Sequence, residues 1–176
     1  MDKSKKVLAA LAIMLFLIGA CSSQPTINKD KFSKVQAAAL AIKAALAAGA
    51  SYQESTDRVQ HLAIEIDKLK DRVTTKQERV LLEAYSDLLG FYRDGLLLWK
   101  CKLEFAFFDF VLRGRIYVSQ DIEPIVEKYR LSTETHLYAP THQYWKSIDE
   151  DSIQVVWSNA DSQLKIIENI TNYGEK

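Results

Sequence analysis

The chain has 176 residues, 48% of them apolar and 26% charged. That fits one folded domain and excludes a disordered tail protein, a collagen-like repeat and a disulfide-dense miniprotein. Lys and Arg (23) balance Asp and Glu (23), so no net field favours nucleic acid, and only 6 Gly and 3 Pro argue against an all-β fold rich in tight turns.

The first elements concern targeting. Lys3, Lys5 and Lys6 form a cationic start, and Val7 to Ile18 is an unbroken apolar run. A membrane-spanning helix needs about 20 apolar residues, so this run has the length of a signal-peptide core instead. The run Leu17-Ile18-Gly19-Ala20-Cys21 closes it. This segment resembles the lipobox of bacterial lipoproteins: an aliphatic residue, two small residues, then a cysteine. The resemblance covers about the first 23 residues. It implies cleavage before Cys21, diacylglycerol on its sulfur and an acyl chain on its new amino group. It also implies residues 1–20 as signal peptide and 21–26 as lipidated tether, and the chain length then leaves 27–176 as a single domain. Several acyl chains hold a protein on a membrane at about 0.8 kcal/mol per buried methylene. In cells with two membranes, Ser22 rather than Asp after that cysteine implies the periplasmic face of the outer membrane.

The rest reads as helix. From Ile27 to Ala48 the apolar positions Val35, Ala38, Ala39, Ile42, Ala45 and Leu46 recur at steps of three and four, with Gly49 as the stop. Ser51 and Glu54 form a capping box for a second helix with Val59, Leu62, Ile66, Leu69 and Val73 as its seam. Thr75 and Glu78 form another, for a third helix with Leu81, Tyr85, Leu88, Tyr92 and Trp99. Its helical pattern runs on to Leu112, which would make about 55 Å of helix at about 1.5 Å per residue. A bend or break near Gly90 or Gly95 is therefore expected. Phe105 to Leu112 is apolar on nearly all sides and is expected to be the most buried segment.

Arg113-Gly114-Arg115 should end that helix. Ile116-Tyr117-Val118 admits a short extended stretch. Asp121 is the expected N-cap of a short helix with Pro124 in its first turn, ending near Arg130. Residues 131–145 read as a long loop with His136, Tyr138, His142, Tyr144 and Trp145. Ser147 and Glu150 match a third capping box, for a last helix carrying Ile153, Val156, Ala160, Leu164, Ile167 and Ile170. The expected fold is all-α: an antiparallel bundle of four or five helices, with a long central helix and one loop of aromatics and histidines.

Catalytic spacing is absent: there is no G-x-S-x-G, H-E-x-x-H, P-loop, C-x-x-C or dinucleotide fingerprint. With Cys21 lipidated, Cys101 has no partner and reads as a buried inert thiol. His61 reads as a surface residue of the second helix. The loop aromatics and histidines either cover helix ends or form a binding surface, since Tyr and Trp supply rigid contact area. His136 and His142 are weak metal candidates. Glu104 and Asp109 lie five apart and point to different helix faces, so each reads as an exposed or ion-paired carboxylate.

The expected function is a non-enzymatic, membrane-anchored adaptor, assembly factor or inhibitor. Its partners would be the lipid membrane, through Cys21, and an envelope protein. It would carry no cofactor beyond its lipid. In size and class it is similar to small helical lipoproteins that pilot secretion components, although a lone Cys101 cannot form their internal disulfide. Two alternatives are a small cell-wall enzyme using Glu104, Asp109 or Glu134, and a metal- or ligand-binding module using His136 and His142.

Overall fold

A computed structural model describes residues 27–173 apart from 107, 109 and 110. The elements in chain order are α1 (Lys29–Ala47), α2 (Tyr52–Lys70), α3 (Lys76–Phe105), β1 (Arg115–Tyr117), α4 (Glu123–Tyr129), β2 (Thr133–Tyr138), β3 (Gln143–Asp149) and α5 (Ser152–Tyr173). The described residues are mostly helical, but the protein is not purely all-α. A three-stranded antiparallel sheet of order β1-β3-β2 joins the helices.

Helices α1, α2, α3 and α5 share one core. Phe32, Val35, Ala39 and Ile42 of α1 meet Val59, Leu62 and Ile66 of α2, Leu81, Tyr85 and Leu88 of α3, and Ala160 and Ile167 of α5. Local chemistry sets the ends of these helices. Asn28 caps α1 by accepting from the Asp30 N–H, and Ser51 caps α2 by accepting from that of Glu54. Gly49 follows α1 at φ 77°, a left-handed conformation that costs glycine little. Thr75 and Glu78 form a reciprocal capping box on α3.

Helix α3 is unbroken through Gly90 and Gly95, so the expected break is absent. The missing side chain at Gly95 serves packing instead: a Cβ there would overlap the Trp157 indole of α5. Trp157 meets Trp99 edge-on, with ring centroids 5.7 Å apart, and Trp99 meets Tyr52 in the same way at 5.7 Å. These rings form a waist between the bundle core and a second core. That second core holds Leu98, Cys101, Ile116, Ile122, Ile125, Ile148 and Val156.

Beyond the waist, several expectations are corrected. Helix α3 ends at Phe105 rather than running on to Leu112. The segment that follows is not the most buried: Phe108 is 49% exposed and Leu112 54%. Phe105 instead meets the tilted rings of Phe108 (5.4 Å) and of Tyr117 in β1 (4.8 Å). Phe107, Asp109 and Phe110 lie outside the described residues. Gly114 takes φ 77° in the turn entering β1, not as the stop of α3.

The N-cap of α4 is Ile122, not Asp121, and no side chain caps it, although Pro124 does sit in the first turn. Residues 133–138 and 143–149 form a β-hairpin, not a loop. Ser147 and Asp149 lie in β3, because Arg115–Tyr117 pairs with them, so α5 starts later, at Ser152.

Candidate docking surface

Two opposite ends can be located along α3. Lys31, in the first turn of α1, reaches Glu78 in the first turn of α3 at 2.8 Å. Chain entry at residue 27 and the α2–α3 turn therefore share one end of the bundle. The sheet packs against the other end, around Leu98 and Cys101. The twenty residues of α3 between Glu78 and Leu98 span about 30 Å.

Glu78 ties the entry end together. Its carboxylate is almost fully buried and accepts from Lys31 Nζ and from the backbone N–H groups of Thr74 and Thr75. Burial alone would raise this carboxyl. The Lys31 and backbone hydrogen bonds outweigh it and, with the Lys31 charge, hold the group down at about 2.

At the far end the hairpin has two faces. On one, Arg115, Tyr117, Glu134, His136, Trp145 and Ser147 lie side by side, as the register Glu134↔Ser147, His136↔Trp145 and Tyr117↔Ser147 requires. Arg115 Nε donates to Ser147 Oγ at 3.0 Å and Arg115 Nη2 lies 3.0 Å from a Glu134 oxygen. Ser147 Oγ also lies 2.8 Å from His136 Nε2. Ser147 is fully buried, so this chain of contacts cross-links β1, β2 and β3. Trp145 is half-buried against His136 (4.4 Å) and Tyr117 (5.9 Å).

The other face begins in the core with Ile116 and Ile148 and continues outward through Lys146 and Thr135 to Tyr144 and Leu137, which pair across the strands. Tyr144 is 75% exposed and Leu137 51%. Of the five residues singled out from the sequence, Tyr144 lies exposed here, while His136, Tyr138 and Trp145 belong to the opposite face, where Tyr138 is exposed and His136 and Trp145 are half-buried. His142 is exposed in the four-residue turn, at φ 55°. Leu137 was missed. Only its pairing with Tyr144 reveals it, and that pairing is invisible without the strand register.

Among the described residues no three His, Cys, Asp or Glu side chains gather as a metal site. Glu104 is exposed on α3 and lies 3.5 Å from Lys100, while Asp109 is outside the described residues. His61 is exposed, as expected, and lies on α2 near Glu65. Cys101 is buried; burial pushes its thiol up, and its sulfur lies 4.0 Å from Ser119 Oγ. No described helix is long and apolar enough to cross a membrane.

The fold and surface define a class: a helical bundle with a small antiparallel sheet packed on one end. No family model, curated protein or solved structure matches the chain.

Proposed function

We propose that this is a lipid-anchored, non-enzymatic binding protein of the cell envelope, acting as adaptor, assembly factor or inhibitor. The anchor is Cys21 on a short tether, at the periplasmic face of an outer membrane. Signal, lipobox and tether lie outside the described residues, and this part of the reading rests on the sequence Leu17–Cys21.

The observation that carries the binding role is the hairpin. Tyr144 and Leu137 present adjoining apolar surface on ordered strands, and rigid aromatic surface of this kind is what protein partners use. Its position supports the same reading. A tether of six residues reaches at most about 20 Å, which keeps the chain-entry end beside the membrane. The hairpin belongs to the opposite end, free to meet an envelope protein.

Mass analysis of the chain from native membranes tests the anchor. The expected product begins at Cys21 and carries diacylglycerol and an N-acyl chain. A chain that still begins at Met1, or that is released without detergent, overturns it.

A further inference from the structure

Strand β2 forms one edge of the sheet, with β3 on its inner side. The Val118 N–H bonds to the Lys146 carbonyl, so the backbone groups of Lys146 face β1. Thr135 is the β2 partner of Lys146. In an antiparallel pair such a residue turns its own N–H and C=O away from the ladder, and the alternation extends this to Thr133 and Leu137. All three are exposed. Edge strands are commonly guarded by lysine, proline or a bulge. Strand β2 contains no lysine or proline, and its pairing with β3 runs without a bulge from Thr133 to Tyr138.

We infer that this edge pairs with the same edge of a second copy of the chain, making a continuous six-stranded antiparallel sheet. The argument is self-complementarity. The outward groups are centred on Thr135, so a two-fold axis there sets Thr135 against its own copy and Thr133 against Leu137. The same register places Glu134 of each copy opposite His136 of the other, on the face where Glu134 already meets Arg115. Slipping the strands by two residues either way sets Glu134 or His136 against itself. Opposed carboxylates destabilise strand pairs, whereas a carboxylate facing an imidazole can accept its N–H. This pairing depends only on the hairpin and is independent of the adaptor reading.

Cysteine cross-linking of the full chain in detergent tests the register. The Cα atoms of the facing Thr135 residues would lie about 5.5 Å apart, within disulfide reach. Facing Thr133 residues would be about 13 Å apart, at about 3.3 Å per residue. Under mild oxidation, Thr135→Cys is expected to form a covalent dimer at least about tenfold faster than Gln154→Cys on α5, because pairing raises the effective concentration. Thr133→Cys and Leu137→Cys should each stay monomeric alone and cross-link when mixed. Equal rates for Thr135→Cys and Gln154→Cys overturn the proposal, and so does self-linking of Thr133→Cys as fast as that of Thr135→Cys. If self-linking fails while the tip residues still retain an envelope protein, self-pairing is wrong and the adaptor reading stands.

Discussion

The two halves of this molecule bury similar side chains by different means. In the bundle, Leu62 and Leu88 are fully buried on α2 and α3, which follow one another in the chain. In the sheet half, Ile116 and Ile148 are equally buried, yet their strands are separated by α4 and β2. In the bundle, α1, α2 and α3 are joined by short turns, and α5 closes on α3 from across the sheet. In the sheet half the β2–β3 hairpin is local, but β1 reaches β3 only across α4 and β2, and that loop-closure entropy must be met before their contacts form. The bundle should therefore be the more autonomous half, and the sheet half should open first.

The largest expected effects break this comparison directly. Leu88→Ala and Ile148→Ala should each cost about 2–5 kcal/mol, as fully buried large-to-small changes do. Their reach should differ. Hydrogen exchange should rise throughout the chain in Leu88→Ala, but only in β1, β2, β3 and α4 in Ile148→Ala. A uniform rise in both variants would mean that the halves are one cooperative unit.

Gly95→Val tests the waist that joins them. The new side chain collides with Trp157, so a loss of about 1–3 kcal/mol is expected, read by chemical denaturation. An ordinary exposed helical glycine would gain stability from a larger residue.

Glu78→Gln acts at the entry end. It should cost about 1–3 kcal/mol at neutral pH, since the buried hydrogen bonds to Glu78 are charge-assisted. The folded carboxyl titrates at about 2, against an ordinary 4.5. Its contribution is therefore complete above pH 4.5 and is lost as pH falls from there toward 2. The melting temperatures of wild type and Glu78→Gln should accordingly converge across that range.

Tyr129→Phe is the smallest of these changes. It removes the 2.7 Å hydrogen bond to Asp94 that helps pin α4 to α3. The expected cost is about 1 kcal/mol, with exchange raised only around α4.

The same contrast explains what could be read from the sequence. The seams Val59-Leu62-Ile66-Leu69 and Leu81-Tyr85-Leu88-Tyr92 and the caps Ser51 and Thr75 are local signals, and each is found where its spacing placed it. The hairpin gave no such signal. Leu137 and Tyr144 are apolar but exposed, and His136 and Ser147 are polar but enclosed, so no simple inside–outside alternation marks either strand. Ser147 and Glu150 match a capping box in spacing, but pairing with Arg115–Tyr117 overrides that local preference. Gly95 suggested a break only because its packing partner, Trp157, lies far away in the chain.

If, as proposed, the hairpin tip docks an envelope protein at the end opposite chain entry, recovery of partners from detergent-solubilised native membranes should distinguish wild type from Leu137→Ala/Tyr144→Ala. Both changes are at exposed positions and should alter stability by no more than about 0.5 kcal/mol, which circular dichroism melts would verify. A specific envelope protein should be retained by wild type and lost by the double variant. Equal retention of that protein by both would show that the hairpin tip is not its docking surface.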